Sequence, residues 1–295
     1  MTTNARLRAL VELAETGSVR RAAERLVVTE SSVSSSVTAL AAEVGAALVV
    51  RSGRGVRLTP AGERYAEYAR RILGLHAEAV LSARSETDPE HGEVRIGAVT
   101  TAGEFLVPQM LASFRDEHPD VVLRLEVAPR GMVWPMLDRH EVDLVVAGRP
   151  SEHMTDARVR ALSPNELVVV GSPVLRDGFD PARITWLQRE PASGMRATCN
   201  AVHEQLGITP PQMVLGSNGA VVAAAVAGLG VTLVSRQAVH RELGSGALAE
   251  MPVEGLPLSR PWHMVSQPRP TASTRLLIEH VLGVPELGWS AHTGR

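Results

Sequence analysis

The sequence predicts an α/β protein that carries an all-helical head with a β-hairpin at its N-terminus. Three observations predict this class: three short amphipathic segments and a β-branched run fill the first 60 residues, one long helical segment follows, and strands then alternate with helices. With 295 residues and 44% hydrophobic content, the chain is long enough for two or three domains.

Composition and charge narrow the class of protein. A charged fraction of 21% is typical of globular proteins, the N-terminus shows no secretory signal, and a single cysteine, Cys199, cannot form an intramolecular disulfide. We therefore expect a cytoplasmic protein with no membrane partner. The net charge is −2, yet residues 1–60 hold eight arginines against five glutamates, so the basic excess is local to the head.

The head begins with three short helices. Apolar residues recur at helical spacing from Leu7 to Ala14, and the stripe ends at Gly17. Ser18 and Thr29 are suitable N-caps for a second and a third helix, because their side-chain oxygens can accept from the free N–H groups of a first turn. The sequence thus predicts three helices within about 45 residues.

A hairpin and a long helix follow. The β-branched run 48–50 and the glycines Gly53 and Gly55 predict two strands joined at a glycine-containing tip. Pro60 suits the first turn of a helix that we expect to reach about Ser85. The polar stretch from 86 to 92 is then the best linker in the chain.

The remaining residues predict two α/β lobes. Strands at 94–98, 121–127 and 142–147 alternate with helices at 106–117 and 134–139, which favours a parallel sheet with crossover helices. A β-rich stretch at 159–170 opens a second lobe. The further elements of the chain are expected as helices near 200–206, 221–227 and 271–283 and as strands at 230–234 and 261–267.

Three helices followed by an arginine-bearing hairpin form a winged helix-turn-helix. In this arrangement one helix fits the major groove of DNA while the hairpin, or wing, contacts backbone phosphates. A small helical oligomerisation domain would give the same pattern and stays open as the alternative.

The residues also resemble those of LysR-type transcriptional regulators. In the head the resemblance rests on residues 10–26 LVELAETGSVRRAAERL, 28–40 VTESSVSSSVTAL and 51–62 RSGRGVRLTPAG. Behind the head it rests on 97–103 GAVTTAG, Pro108, 118–119 HP, 143–146 DLVV, 189–196 REPASGMR, 216–218 GSN and 228–235 GLGVTLVS.

The resemblance implies a domain order and a set of partners. It implies a two-lobed, periplasmic-binding-protein-like effector domain with Rossmann-like lobes, a homodimer or homotetramer, promoter operator DNA as double-stranded partner, and a small-molecule effector; it leaves a contact with RNA polymerase open. The expected domains are a winged head at 1–60, a dimerisation helix at 61–86, a hinge at 87–92 and an effector domain at 93–295. Lobe I is expected at about 93–160 and 266–290, and lobe II at about 161–265.

By the same resemblance, the third helix enters the major groove and four arginines contact phosphate or the minor groove. The arginines are Arg21, Arg51, Arg54 and Arg57. On the third helix itself, Glu30 can accept from a cytosine amino group, and the hydroxyls of Ser31, Ser34, Ser35 and Thr38 can bond base edges or phosphates. This chain has Glu30, Ser31 and Ser35 where the family usually has glutamine, proline and arginine, so its operator cannot be inferred from relatives. A solvated helix face and a solvated turn remain the simpler interpretations of these serines and arginines.

The effector site is expected where strands end and helices begin. Free N–H groups at helix N-termini suit anions. The residues expected there are Thr100, Thr101, Ser193 and Asn218, with Arg130 and Arg149 adding positive charge. We expect an anionic metabolite, although each hydroxyl alone could be only a helix cap.

Two other protein classes have weaker support. Cys199 and His203 could act as a nucleophile and its base, but no third orienting group is apparent. We therefore expect that the protein is not an enzyme and binds no cofactor. An exported solute-binding protein would lack the DNA-binding head. No histidine pairs with a second ligand at zinc spacing, so we expect no metal site.

Overall fold

The computed structural model describes residues 3–53, 55–150, 157–191 and 193–292. The chain divides into two compact units. The first comprises Met1–Ala83 and Asp138–Glu141, and the second comprises Arg84–Leu137 and Val142–Arg295. None of the helices in the described parts of the chain is long and apolar enough to cross a membrane.

The first unit contains the three predicted helices, α1 (Asn4–Thr16), α2 (Val19–Leu26) and α3 (Glu30–Val44). Both predicted caps are confirmed: the Ser18 hydroxyl accepts from the N–H of Arg21 at 3.4 Å, and the Thr29 hydroxyl accepts from the N–H of Ser32 at 3.2 Å. The apolar stripes of the helices face one another, and Leu10 and Leu40 are completely buried at their centre. The head thus has a core of its own.

The hairpin and the long helix complete this unit. Strands β1 (Val49–Ser52) and β2 (Gly55–Leu58) pair antiparallel, and helix α4 runs from Pro60 to Thr87. Gly62 in its first turn lies so close to the backbone of Leu48 that a Cβ there would come within 1.9 Å of the Leu48 carbonyl oxygen. The helix therefore starts directly against the hairpin.

The segment expected to be a linker is ordered by specific contacts. Glu86 and Thr87 belong to α4, and Pro89–His91 form a short 3₁₀ turn. The Ser273 hydroxyl donates to the carbonyl of Pro89 at 2.7 Å, and the carbonyl of Gly92 accepts from the N–H of Val122 at 2.9 Å. Composition identified a polar stretch but could not show that its backbone is hydrogen-bonded.

Lobe I is built on a mixed sheet of six strands. Its strands are β3 (Glu93–Val99), β4 (Val122–Ala128), β5 (Leu144–Ala147), β6 (Arg158–Ser163), β13 (Trp262–Ser266) and β14 (Ser290–Ala291), in the order β14-β6-β13-β5-β3-β4. Its helices are α5 (Thr100–Phe105), α6 (Val107–Glu117), α7 (Arg130–Asp138) and α11 (Ala272–Gly283). Strands β3, β4 and β5 are parallel, as predicted, whereas β13 returns antiparallel between β5 and β6.

Lobe II contains a second six-stranded sheet. Its strands are β7 (Glu166–Gly171), β8 (Trp186–Gln188), β9 (Gln212–Val214), β10 (Val231–Ser235), β11 (Ala249–Glu250) and β12 (Leu258–Ser259), ordered β11-β7-β10-β8-β9 with β12 paired to β7. Its helices are α8 (Gly194–Leu206), α9 (Asn218–Val226) and α10 (His240–Ser245).

The lobe boundaries differ from the expected ones. Strand β6 precedes the first chain crossing into lobe II, and β13 follows the return crossing. Both strands lie wholly in the lobe I sheet, whereas the expected boundaries at 160 and 266 cut through them. The chain crosses between the lobes at Asn165 and again at Arg260, and backbone and side-chain bonds tie these two residues together at 2.8 and 2.9 Å. A continuous β-rich stretch does not reveal which sheet each half joins.

The helices next to the cleft extend beyond the segments that apolar periodicity predicted. Helix α5 precedes the helix expected at 106–117, α7 begins at Arg130 rather than Trp134, and α8 begins at Gly194 rather than near residue 200. The turns at Thr100 and Gly194 were expected only as helix N-termini, from their hydroxyl and glycine residues, because they carry little apolar periodicity. These turns line the cleft described below.

Candidate nucleic-acid interface and effector cleft

Helix α3 separates a buried face from a hydroxyl-rich outer face. Val33, Val37 and Leu40 pack into the head core. The residues predicted to read bases all lie exposed on the helix: Glu30, Ser31, Ser34, Ser35 and Thr38. Positions three, four and seven apart share one side of a helix, so Ser31, Ser34, Ser35 and Thr38 form a single polar surface that can approach a groove.

Two of these hydroxyls already have local partners. The Ser31 hydroxyl lies 2.9 Å from that of Thr29, and the Ser35 hydroxyl donates to the carbonyl of Ser32 at 3.1 Å. A hydroxyl oxygen keeps a free lone pair in such a bond, so both can still accept from a base amino group. Glu30 can only accept, which suits a cytosine amino group and not a phosphate.

Arg21 lies exposed on α2 and is anchored at the turn between the first two helices. Its guanidinium donates to the carbonyl of Thr16 at the end of α1. Because a guanidinium has five N–H donors, this bond leaves others available for a phosphate.

The register of the hairpin separates the two described wing arginines. Val50 is opposite Arg57, and Arg51 is opposite Val56, so Arg51 and Arg57 project from opposite faces. Both are exposed. Arg54, the third predicted arginine, lies outside the described residues.

A cleft with a volume of about 120 Å³ opens between the two lobes. Four of the six predicted effector residues line it: Thr100, Thr101, Arg130 and Ser193. Thr100 and Thr101 form the first turn of α5 directly after β3, and Ser193 precedes α8 without using its side chain as a cap. The structure thus brings together residues from both lobes that the sequence could link only by resemblance.

The cleft also contains arginines that sequence reasoning missed. Arg189 is largely buried and forms a bidentate pair with Glu190, at 2.8 and 2.9 Å. Arg260 lines the cleft beside Trp262, and its Nη1 donates to the hydroxyl of Thr198 at 2.7 Å. Arg189 belongs to the segment 189–196 that carries the family resemblance, but it was not singled out as a cleft residue. Arg260 lies in a loop whose sequence does not indicate that it reaches the cleft.

Among the residues that the structure describes, no carboxylate forms an ion pair with Arg130 or Arg260. Arg130 donates to the carbonyl of Arg149 at 2.6 Å. Burial, and then the neighbouring charge of Arg260, lower the pKa of Arg130. Two positive groups in a partly desolvated cleft are electrostatically suited to an anion, because an anion would offset both charges.

The other two predicted effector residues are placed differently. Arg149 is exposed and does not line the cleft, to which it contributes only the carbonyl that holds Arg130. Asn218 lies in an adjoining pocket of about 20 Å³, where its amide oxygen accepts from Arg189 and its amide nitrogen donates to Glu104 at 2.7 Å. Asn218 therefore connects the lobes through hydrogen bonds.

Cys199 and His203 do not have the properties of a nucleophile and its base. Cys199 is buried, its Sγ lies 3.6 Å from Nε2 of His203, and burial raises the pKa of its thiol to about 12. Burial also lowers the pKa of His203. A reactive cysteine needs a stabilised thiolate, which this environment disfavours.

Family models match both parts of the chain. The model described as the bacterial regulatory helix-turn-helix protein of the lysR family matches residues 5–63, and the LysR substrate binding domain matches residues 87–285. The chain belongs to the LysR family of transcriptional regulators. As a LysR-type regulator it binds DNA through its winged head and a small effector through its two-lobed domain, and it is not an enzyme.

Curated LysR-type regulators are similar to this chain over most of its length. The regulator CfxR of Cupriavidus necator is 34% identical over 266 residues, covering 88% of this chain and 83% of the relative. The RuBisCO operon transcriptional regulator of Acidithiobacillus ferrooxidans is 34% identical, covering 84% and 82%.

Solved LysR-type structures share the fold. A full-length OxyR variant from Pseudomonas aeruginosa matches 100% of this chain and 99% of its own with a TM-score of 0.71 at 20% identity. CbnR in complex with its target DNA matches 95% and 98% with a TM-score of 0.65 at 19% identity. The expected two-lobed α/β architecture behind a helix-turn-helix head is thereby confirmed.

Proposed function

We propose that this LysR-type regulator changes its affinity for promoter DNA when a small anionic metabolite binds between its lobes. The observation that carries the proposal is the pair Arg130 and Arg260, two guanidinium groups that line the cleft with no carboxylate partner among the described residues. Arg189 is already neutralised by Glu190, so it contributes hydrogen-bonding geometry more than charge.

The surroundings of this pair suit a carboxylate or a phosphate. Thr100, Thr101 and Ser193 supply hydroxyl donors, and α8, a helix of 13 residues, begins at the cleft with Gly194. Free backbone N–H groups and the helix dipole favour negative charge at that end.

For DNA we propose that the outer face of α3 reads bases while the arginines position the head. Arg21 and one wing arginine of each subunit would contact phosphates, and Ser34, Ser35 and Thr38 would face base edges. A Ser35→Arg variant should then select a different operator from random duplexes than the wild type. Identical selected sites would contradict this assignment.

We propose a second copy of this chain as the partner of α4. Tyr68, Ile72 and Leu75 are 59%, 48% and 53% exposed on the helix, at spacings that place them on one side. Tyr65, on the same helix, packs instead against the head core. Two DNA half-sites require a two-fold protein, which this apolar surface can provide.

A second apolar surface supports the tetramer over the dimer. Leu125 and Val127, two residues apart, are exposed on the same face of β4, an edge strand of the lobe I sheet. A tetramer needs two different interfaces, and α4 and β4 are separate elements. We propose the domain limits 1–60, 61–86, 87–92 and 93–295 for this assembly.

The names of the relatives suggest a target class. Those of Acidithiobacillus ferrooxidans and Allochromatium vinosum are called RuBisCO operon transcriptional regulators. We propose that this chain controls an operon of carbon metabolism in the cytoplasm, there contacting RNA polymerase, and that its effector is a phosphorylated or carboxylated intermediate.

The cleft is tested by calorimetric titration of phosphorylated and carboxylated metabolites into the full-length protein. We expect Arg130→Gln and Arg260→Gln each to lower the affinity for the tightest-binding metabolite on the order of 10- to 150-fold, which is the contribution of one charge-assisted hydrogen bond. Arg183→Gln, at a side chain 88% exposed in lobe II, is the matched control and should bind as the wild type does. Equal affinity in all three variants would refute the anion site.

A further inference from the structure

Three metal-ligating side chains meet on lobe I, away from the effector cleft. Glu117 ends α6, His118 follows it, and His280 lies in the last turn of α11. One ligand atom from each lies within 4.8 Å of the others. The expectation of no metal site rested on spacing along the chain, and the two histidines come from distant segments that only the fold brings together.

The separation of the first pair fits a bound metal. Nδ1 of His280 lies 3.3 Å from a carboxylate oxygen of Glu117. Two ligands at the distances of about 2.0–2.1 Å that Zn²⁺ prefers are about 3.4 Å apart across a tetrahedral angle. A metal ion could therefore replace the direct contact between these two atoms without a large movement.

The remaining ring nitrogens are held by other groups. Nε2 of His280 lies 2.9 Å from the Ser113 hydroxyl, and Nδ1 of His118 lies 2.8 Å from a carboxylate oxygen of Glu90. Each histidine thus keeps one ring nitrogen that these two contacts do not use, Nδ1 of His280 and Nε2 of His118. Such outer partners fix ring orientation and raise the basicity of the ligands in known metal sites.

Packing fixes the two rings further and leaves one open side. The Phe114 ring contacts both imidazoles, tilted against His118 with centroids 4.6 Å apart and edge-to-face with His280 with centroids 5.5 Å apart. The side chain of His280 is 3% exposed and that of His118 15%, whereas that of Glu117 is 64% exposed. A metal ion can thus enter past Glu117, and water can take the fourth position.

We propose that Glu117, His118 and His280 bind one divalent transition-metal ion of the Zn²⁺ class. Two imidazoles and one carboxylate are typical zinc ligands, while Mg²⁺ and Ca²⁺ prefer oxygen donors. The site lies apart from the proposed anion cleft and does not depend on it. Because Glu90 belongs to the 3₁₀ turn after α4, the bound ion also stabilises that turn.

The test is titration of untagged, chelator-treated full-length protein with Zn²⁺ alone, followed by calorimetry, and with Co²⁺, followed by absorption. We expect one ion per chain. Loss of an outer partner of a ligand typically lowers metal affinity about 10–100-fold, and Glu90→Gln should fall in that range. Glu117→Gln and His118→Gln each remove a ligand and should lower the affinity further. Glu117 is exposed, so its variant should fold, which circular dichroism checks.

The control is His240→Gln, which removes an exposed histidine of α10 and should bind Zn²⁺ as the wild type does. Weaker binding in both ligand variants with unchanged binding in the control supports the site. The proposal is overturned if the wild type binds no ion, if either ligand variant binds as tightly as the wild type, or if the control loses binding as well.

Discussion

The register of the hairpin predicts how strongly each wing arginine contributes to DNA binding. Arg51 and Arg57 project from opposite faces of the hairpin, so only one of them can face the DNA backbone in each subunit. We expect one single substitution to alanine to reproduce the whole effect of the double substitution, and the other single substitution to have little effect.

The magnitude comes from counterion release. Each lost phosphate contact makes the negative slope of log K against log salt less steep by about 0.9, so two subunits bound to one pair of half-sites that each lose one contact reduce the steepness by about 1.8. Between 50 and 200 mM salt the wild type should then lose about 12-fold more affinity than the variant.

Fluorescence anisotropy with a duplex of random sequence measures these slopes, because phosphate contacts do not depend on sequence. Two single variants with equal slope changes that add in the double variant would refute the opposite-face argument. Slopes identical to the wild type in all three variants would show that these arginines do not contact phosphate.

Three further predictions concern assembly, folding and the thiol. Changing Ile72 and Leu75 together to glutamate should lower the sedimentation coefficient, because charge on the exposed side of α4 opposes pairing, whereas Val174→Glu, at an apolar residue 77% exposed, should not. Asp143→Ala should lower the free energy of unfolding by about 3–5 kcal/mol in urea, because the buried Asp143 carboxylate pairs with the largely buried guanidinium of Arg95 at 2.6 Å and its loss leaves that charge unpaired. Cys199, with its pKa near 12, should resist iodoacetamide at pH 8 until the protein is unfolded, as followed by mass spectrometry.

Each of these has a contradicting result. An unchanged sedimentation coefficient in the α4 variant would place the interface elsewhere. A loss under 1 kcal/mol for Asp143→Ala would mean that water reaches the freed arginine. Rapid alkylation of native Cys199 would mean that the thiol is exposed by local opening.

Local patterns identified the head accurately. Ser18 and Thr29 begin their helices because a hydroxyl in that position satisfies free N–H groups, which depends only on neighbouring residues. The three parallel strands of lobe I, β3, β4 and β5, were also visible, and β5 consists of continuous apolar residues, as buried parallel strands do.

Properties that depend on distant residues could not be predicted. Arg260 enters the cleft because the chain returns to lobe I beside Asn165, and nothing in its own loop indicates that return. The antiparallel insertion of β13 and the meeting of His118 with His280 depend on the same non-local topology. Sequence reasoning therefore located cleft residues at helix starts but missed those that the crossing strands supply.

The most direct test of an anion-switched regulator is the affinity of the full-length protein for its own upstream intergenic DNA, with and without the metabolite that calorimetry shows to bind. We predict that the metabolite changes DNA affinity by about 5- to 150-fold, the usual range of allosteric coupling, and that a Thr100→Ala, Thr101→Ala double variant needs more metabolite for the same change. By linkage, DNA must change the affinity for the metabolite equally. A metabolite that binds between the lobes yet leaves DNA affinity unchanged would contradict the account.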